Sequence, residues 1–591
     1  MENLKMLSLL RCNASTRIKV LLVYLLFPLF AQAEGEPEHV KVAFLADIHL
    51  HSPIDAAANI PEGSLPKDAI TQQPLLLRSM RAQLKSTRLF NENILVLKQA
   101  LDDIVRRNIK LVALPGDFTD DGQPVNILAL RDILDSYRET HGVRFFAING
   151  NHDPVRPFTR EGGKRDFLNS EGGEISVVSN QHPDCINRNS DYCSDLLKEW
   201  GYHEIATTLS NHGFLADKLD LLYETPFGTV DINSRHWRWC DENNHCMDMP
   251  DMSYLVEPVE GIWLLAIDAN VYAPIGDYED KRFKGSSNAG YNALVKYKPQ
   301  LLKWIEEIVK RANQQNKKLV SFSHFPMAEF SDLQTKSITD LLGDKAMQMS
   351  RQPSSTTTSV LASTGLKLHF GGHMHLFDIS QSSKQGLLNV QVPSLAAYQP
   401  GYTVATVGLN GVTSIETIVI KEVKNFSRWF NVYESEWQHR RSSGLDNWDR
   451  DSLSAKNYLE LTDTHLKTIV QHRYISDWPE TIVAALTTHN IQEILALNQC
   501  EFNYPNKSTV GQLNADTFIY DFYRARNAGS FADFGNRYGL YQTIVQQADL
   551  GGCLSPTSSI AKNKTLKQAL VLIANMAISS KKDKAVINLM L

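Results

Sequence analysis

The stretch LVALPGDFTD, at residues 111–120, decides the fold of this chain. Its first four residues are apolar and too few for a helix, which is typical of a buried β-strand. Gly116 and Asp117 follow directly, so a carboxylate lies where the predicted strand ends. Ligand sites of α/β proteins collect at the carboxyl ends of parallel strands. The stretch therefore predicts an α/β fold with a site at one edge of a sheet.

Strand and helix patterns alternate on both sides of this stretch. One apolar run at 40–46 ends in Asp47, and another lies at 143–148. Apolar residues at helical spacing occupy 91–108 and 125–139, between these runs. This βαβαβ order predicts an α/β protein with parallel strands. Later elements are a predicted helix at 299–312 and predicted strands at 262–267, 319–323, 366–370, 388–392, 403–407 and 415–420.

Five short motifs follow predicted strands and supply carboxylate, imidazole or amide groups. They are Asp47-Ile48-His49, Gly116-Asp117-Phe118-Thr119-Asp120, Gly150-Asn151-His152-Asp153, His324 in Ser-His-Phe-Pro, and Gly372-His373-Met374-His375. Each motif alone is weak: a lone His324 is more often a core histidine, and Gly-Asn-His-Asp is also an ordinary turn sequence. All five in order, each after an apolar strand, predict a metal site.

The ligand types indicate which metals this site would bind. Mixed imidazoles and carboxylates suit Mn, Fe, Zn or Ni better than Mg or Ca. Two such ions can clamp the attacking and leaving oxygens of a phosphoryl transfer, and they acidify water. A carboxylate has two oxygens and can be shared between them. We therefore expect two divalent or trivalent transition-metal ions as cofactors.

The motif set resembles the calcineurin-like metallophosphoesterase superfamily, over about residues 40–420. The resemblance implies a β-sandwich flanked by helices and hydrolysis of a phosphate ester by a hydroxide that two metal ions activate. It implies that His152 does not bind metal but assists the leaving group. By motif position, it implies one ion held by Asp47, His49, Asp117 and His375, and another held by Asp117, Asn151, His324 and His373.

Neighbouring residues refine this resemblance. Purple acid phosphatases have a Tyr in the second motif and lack the first-motif His, whereas this chain has Asp120 and His49. The export signal and helical tail are similar to acid sphingomyelinase-like phosphodiesterases. Asp120 and Asp153 are expected to orient metal ligands through hydrogen bonds, and His51 to lie just outside the ligand set or in a loop.

Several functions remain open from the motifs. Monoesters and diesters are both possible substrates because the metal core serves both, so a phosphodiesterase of the sphingomyelinase or nucleotide type is one alternative. A non-catalytic binding protein on the same fold is another, although no ligand is missing. No Gly-x-Ser-x-Gly or Gly-x-x-x-x-Gly-Lys-Ser/Thr motif supports a serine hydrolase or a P-loop NTPase.

The N-terminus predicts a secretory signal peptide at residues 1–33. Basic residues precede an apolar run at 20–30, and Ala31-Gln32-Ala33 offers a small-x-small cleavage site. The alternative is an uncleaved membrane anchor, but the run is shorter than the ~20 residues that a spanning helix needs. We therefore expect an exported protein, periplasmic or extracellular, with no transmembrane segment after cleavage.

Cysteine content agrees with export. Six cysteines follow the predicted signal, and an even number in an exported chain predicts disulfides. Six cysteines allow 15 full pairings; pairing the nearest residues is the simplest choice. A zinc cluster is the rival, but no Cys-x-x-Cys spacing supports it. The nearest-neighbour pairs are Cys185 with Cys193, Cys240 with Cys246, and Cys500 with Cys553.

Length and composition set the domain organisation and the partners. A chain of 591 residues predicts at least two domains. We expect a metallophosphoesterase domain at 38–421, with an insertion or cap at 154–261, and a helical C-terminal domain at 422–591 that stays helical to its end. The net charge of −6 indicates no nucleic-acid partner. The expected partner is a small-molecule or lipid phosphate ester.

Overall fold

Two β-sheets pack face to face and carry most of the apolar core. The computed structural model describes residues 39–53, 60–61, 63–240, 246–275, 283–382, 386–555, 564–582 and 586–590. Phe44 of the first sheet stacks on Phe370 of the second, with ring centroids 3.8 Å apart, and meets the edge of Phe322. These contacts close a sandwich, and the predicted fold class is confirmed.

The first sheet has six strands in the described part of the chain. They are β1 (His39–Phe44), β2 (Leu111–Pro115), β3 (Arg144–Ile148), β16 (Gly401–Gly408), β17 (Val412–Val419) and β18 (Val586–Met590). Their order is β18-β17-β16-β1-β2-β3. Strands β1, β2 and β3 run parallel, with Phe44 opposite Ala113 and Ala113 opposite Phe146. Their carboxyl ends therefore meet at one edge.

The second sheet has seven strands among the described residues. They are β7 (Leu222–Glu224), β10 (Tyr254–Val259), β11 (Ile262–Ile267), β12 (Lys318–Ser323), β13 (Leu368–Gly371), β14 (Asp378–Gln381) and β15 (Leu388–Gln391). Their order is β14-β15-β13-β12-β11-β10-β7. Strands β11, β12 and β13 are parallel; β11 and β13 are buried throughout and β12 is buried from Val320 onward, which explains their apolar runs.

Helices cover the sandwich, and their apolar residues recur at the expected helical spacing. In one of them, Pro299–Gln314, Pro299 occupies the first turn, and Leu301, Ile305 and Ile308 point to the core. The helices before β16 are α1 (Met80–Lys85), α2 (Asn93–Arg106), α3 (Pro124–His141), α4 (Pro183–Ile186), α5 (Tyr202–Thr208), α6 (Gly290–Tyr297), α7 (Pro299–Gln314), α8 (Thr335–Leu342) and α9 (Ser355–Ser363).

The predicted insertion at 154–261 contributes both to small sheets and to the sandwich. Strands β7 and β10 from this segment extend the second sheet. The small sheets consist of β4 (Gly163–Leu168), β5 (Glu174–Val178) and β6 (Tyr192–Cys193), and of β8 (His236–Cys240) with β9 (Cys246–Pro250). Disulfides join Cys185 to Cys193, Cys240 to Cys246 and Cys500 to Cys553, which confirms the nearest-neighbour pairing.

Helices dominate the chain after β17. They are α10 (Phe430–Ser442), α11 (Tyr458–Ile469), α12 (Glu480–Thr488), α13 (Ile491–Leu497), α14 (Lys507–Val510), α15 (Thr517–Ala528), α16 (Tyr538–Asp549) and α17 (Lys564–Ser579). Their apolar cluster also takes in Ile338 of α8 and Met347. Residues 39–591 form one compact unit by backbone contacts. The division at residue 422 stays a prediction.

The expectation that the chain stays helical to its end was wrong. Residues Val586–Met590 form β18, which pairs antiparallel with β17, Met590 lying opposite Val412. Without β18, β17 would expose an unpaired row of N–H and C=O groups at the sheet edge. Such long-range pairing has no local sequence signal. No helix in the described ranges is both long and apolar enough to cross a membrane, and the predicted signal peptide, residues 1–33, lies outside those ranges.

Candidate metal centre

The five motifs meet at one edge of the sandwich. Asp47, Asp117 and Asn151 follow β1, β2 and β3 of the first sheet. His324 follows β12, and the pair His373 and His375 follows β13, in the second sheet. These six residues and His49, the seven predicted ligands, are therefore carried by loops at the carboxyl ends of parallel strands, the expected position for a site.

Six of these side chains form two groups whose ligand atoms lie within 4.8 Å of one another in each group. The first group is Asp47, His49 and His375, in which the two Nε2 atoms are 3.0 Å apart. The second group is Asp117, His324 and His373. In the second group, His324 Nε2 lies 3.1 Å from His373 Nδ1.

The carboxylate of Asp117, in the second group, also lies close to the first. Its Oδ2 atom is 3.2 Å from His324 Nε2 and 3.7 Å from His49 Nε2. Asn151 joins the second group, with Oδ1 3.1 Å from His324 Nε2. The structure thus brings together all seven residues expected to bind metal, with the predicted shared carboxylate in the middle.

Backbone conformation aims these side chains inward. Asp47, His49, Asp117, His373 and His375 all have positive φ, between 46° and 73°. Residues other than glycine adopt this left-handed conformation uncommonly, at a cost of about 1–3 kcal/mol, and strained residues of this kind tend to cluster at functional sites. Five such residues in one cluster indicate that the fold holds the loops in place for a function.

Two glycines allow the loops to approach each other. A Cβ atom on Gly150 would lie 2.2 Å from the Oδ1 and backbone N atoms of Asp117. A Cβ atom on Gly372 would lie 2.4 Å from Oδ2 of Asp47. Any larger residue would push away a predicted ligand, which is the physical reason for glycine at the start of these two motifs.

Hydrogen bonds to backbone carbonyls fix three of the imidazoles. His324 Nδ1 donates to the Pro115 oxygen (3.1 Å), His373 Nε2 to Ser287 (2.8 Å) and His375 Nδ1 to Thr87 (3.3 Å). In its neutral form, each ring directs the lone pair of its other nitrogen into the cluster. Metal-binding histidines are oriented by this kind of outer hydrogen bond.

This donor set fits positively charged ions. Nitrogen lone pairs and buried carboxylates converge, and the facing nitrogens of His324 and His373, 3.1 Å apart, would repel each other without a proton or a metal ion between them. Burial lowers the pKa of His324, but the carboxylates of Asp117 and Asp47 and the hydrogen bond to Pro115 together more than offset this and raise the pKa to about 9. A proton on His324 thus balances part of the charge that metal ions would balance, and metal binding is expected to displace it.

His152 is arranged differently from the seven predicted ligands. Its side chain is 26% exposed, and its Nδ1 lies 2.5 Å from Asp121 Oδ1. Arg88 Nη2 is 3.4 Å from the same nitrogen. Lys164 also pairs with Asp121. Since Asp121 engages Nδ1, the Nε2 side of the ring is left for another partner in the cleft that His152 lines.

Other predicted residues act through neighbours. Asp120 does not bond to a ligand side chain in the described structure; it pairs with Arg78 and Arg88, at 2.5 and 2.6 Å. Asp153 accepts hydrogen bonds from the backbone N–H groups of residues 118 and 119 and so supports the loop after Asp117. His51 is buried and bonds to the Leu76 oxygen, away from the cluster.

The helical region after β17 also shapes the cleft. His465 of α11 is buried, and its Nε2 lies 3.1 and 3.0 Å from the carbonyl oxygens of Gln83 and Ser86. The loop that it contacts carries Thr87 and Arg88. Sequence motifs did not indicate Arg88, Asp121 or His465, because each acts through contacts between distant segments and none belongs to a recognisable pattern.

A family model for calcineurin-like phosphoesterases matches residues 40–377, which is more than half of the chain. The chain belongs to the calcineurin-like phosphoesterase family. It is therefore a metallophosphoesterase, an enzyme that hydrolyses phosphoric esters, and the family implies a dinuclear metal centre. The matched segment contains every residue of both ligand groups, and it ends just after His375.

Solved structures similar to this phosphoesterase include two phosphatases. A dimetal phosphatase from Danio rerio is 12% identical, with a TM-score of 0.34, and the match covers 64% of this chain and 98% of that one. The purple acid phosphatase PPD1 from yellow lupin, Lupinus luteus, is 11% identical, with a TM-score of 0.31, 64% of this chain and 51% of that one being covered. No curated protein matches the sequence.

Proposed function

We propose that this phosphoesterase binds two transition-metal ions through the seven converging ligands and uses His152 to assist the leaving group. The position of Asp117 Oδ2, between His49 and His324, is the observation that carries this proposal. When bound, two such ions supply Lewis acidity and acidify water for attack on phosphorus. The imidazole and carboxylate donors favour Mn, Fe, Zn or Ni.

The protein's own groups complete the reaction. The P–O bond to the leaving group breaks as water attacks phosphorus, and His152 donates a proton to the departing oxygen. Asp121 holds the His152 ring through Nδ1, so the proton on Nε2 is available for this transfer. Arg88, beside His152, is placed to stabilise negative charge on the phosphoryl oxygens.

A substrate panel tests this proposal. Mature protein is loaded separately with Mn, Fe, Zn or Ni and assayed with nitrophenyl phosphate and bis(nitrophenyl) phosphate. We expect hydrolysis of at least one ester, loss of activity after chelation and recovery after reloading. The ratio of the two rates assigns the enzyme to monoesters or diesters. Absence of hydrolysis of both esters with every metal would contradict the proposal and favour a binding protein on the same fold.

We also propose that the chain is exported. Three disulfides join described cysteines, and disulfides persist mainly in oxidising compartments. Cleavage after Ala33 would leave Glu34 as the first residue. Intact-mass spectrometry of protein from the periplasmic or medium fraction should therefore give the mass of residues 34–591. A membrane-bound product that retains residues 1–33 would instead support the uncleaved anchor.

A further inference from the structure

Three arginines line the metal-site cleft on the side of the helical region. Arg351 ends the short helical segment Ala346–Arg351, Arg473 lies in the single turn that follows α11, and Arg526 lies near the end of α15. The same cleft is lined by Asp117 and His373. The arginines and the metal ligands therefore face one space, although they come from distant parts of the chain.

These three arginines lack acidic partners among the described residues. Arg351 bonds to two neutral amides, Asn288 Oδ1 at 3.0 Å and Gln348 Oε1 at 3.3 Å. Arg526 Nη1 bonds to its neighbour Asn527, at 2.9 Å. None of the three forms an ion pair with a described carboxylate, so each guanidinium at the cleft keeps N–H groups that an anionic ligand could use.

Nearby arginines behave differently. Arg524, two residues before Arg526, pairs with Asp463 at 2.7 Å and with Asp521 at 3.1 Å. Arg537 pairs with Asp521 at 2.5 Å. The helical region thus pairs these two neighbouring arginines with carboxylates but leaves Arg473 and Arg526 at the cleft without such a pair. A generally basic surface does not explain this, because the chain has a net charge of −6.

The positive charges at the cleft act on each other. The pKa of Arg351 is lowered by burial. The positive charges of Arg473 and Arg526 lower this pKa further, and the opposing effects of Tyr474 and Asp117 do not restore it. Like charges that are brought together in a partly buried cleft repel one another. An anion placed among them would remove this repulsion and form charge-assisted hydrogen bonds.

We propose that Arg351, Arg473 and Arg526 bind a second phosphate group of the substrate, separate from the phosphate that is hydrolysed. This inference rests on the proposed phosphoesterase function. A guanidinium group can donate two parallel hydrogen bonds to two oxygens of one phosphate. Three guanidinium groups suit a doubly charged phosphate better than a singly charged carboxylate. The helical region would then select the substrate, while the sandwich holds the metal ions.

Two classes of small molecule carry this chemistry. In a nucleoside diphosphate the second phosphate is attached to the one that is cleaved, whereas in a sugar bisphosphate the two phosphates are on separate carbons. Matched pairs distinguish them: ADP against AMP, and fructose 1,6-bisphosphate against fructose 6-phosphate. Within at least one pair, we expect kcat/KM of the metal-loaded enzyme to be about 10-fold or more higher for the compound with two phosphates.

Substitutions at the cluster test its role in this preference. Arg473→Gln and Arg526→Gln should each lower the preference about 10-fold, mainly through KM. Arg473 is exposed, so its replacement should not disturb folding. Arg441→Gln, at an exposed position on α10, serves as the matched control and should keep the preference. Calorimetry with the same four compounds provides a binding readout that does not depend on turnover.

The outcomes separate this inference from the function on which it rests. The enzyme could hydrolyse nitrophenyl phosphate but show equal kcat/KM and equal affinity for the two members of each matched pair. That result would overturn the second phosphate site and leave the phosphoesterase function standing. A preference that survives both cleft substitutions would also overturn the second phosphate site. If no ester is hydrolysed, the proposed function fails. Calorimetry could still support the site, provided that a compound with two phosphates binds more tightly than its partner and that Arg473→Gln removes this difference.

Discussion

Replacing Asp117 with alanine is expected to remove most of both metal ions and to lower turnover by about 10³-fold or more. Its Oδ2 atom lies within 3.7 Å of a histidine nitrogen in each ligand group, so a single substitution affects both sites. Metal ions supply several kcal/mol of transition-state stabilisation, and each 1.36 kcal/mol corresponds to a factor of ten in rate. Replacing Asp47, which belongs to the first group only, should remove one ion.

Elemental analysis of the purified variants measures this result. Native protein should approach two metal equivalents, and Asp117→Ala should approach none after reloading. His51→Gln is the matched control, because His51 is a buried histidine of the same loop as His49 but bonds to Leu76 instead of the cluster. If Asp117→Ala keeps two equivalents, or if native protein never exceeds one, the shared-carboxylate arrangement must be rejected.

The positions of the proposed ligands could be predicted because they follow local rules. A buried parallel strand is a short apolar run, and its carboxyl end lies at the ligand-binding edge of the sheet. Asp47 after β1 and Asp117 after β2 are therefore placed by the strands before them. The glycines of the third and fifth motifs also have a local explanation, since Gly150 and Gly372 stand where a Cβ atom would collide with a ligand.

The rest of the site depends on contacts between segments far apart in the chain. Asp121 next to Asp120 has no distinctive pattern, and only the folded loop shows that Asp121 is the one that meets His152. His465 and Arg473 lie on a helical tail whose position over the cleft no motif encodes. The edge strand β18 was missed for the same reason, because its partner β17 lies more than 160 residues earlier.

His152→Ala is expected to lower turnover by about 10²–10⁴-fold while both metal ions remain bound. A positioned general acid contributes roughly this factor. The structure separates His152 from its neighbour Asn151: the amide oxygen of Asn151 lies 3.1 Å from His324, whereas the His152 ring is held by Asp121 and is partly exposed to the cleft. Asn151→Ala is thus the matched variant, and it should weaken one metal instead.

The leaving group decides which role His152 plays. A nitrophenolate departs readily without a proton, so its ester should lose less activity in His152→Ala than an alkyl phosphate, whose alkoxide needs protonation. Turnover of both esters and metal content are measured for the two variants. Loss of a metal from His152→Ala would make this residue a ligand and exclude the general acid. If the hydrolysis of both esters slows equally and the metals are retained, the role of His152 is only to stabilise charge on the phosphoryl oxygens. The reason is that a group that transfers no proton cannot distinguish a good leaving group from a poor one.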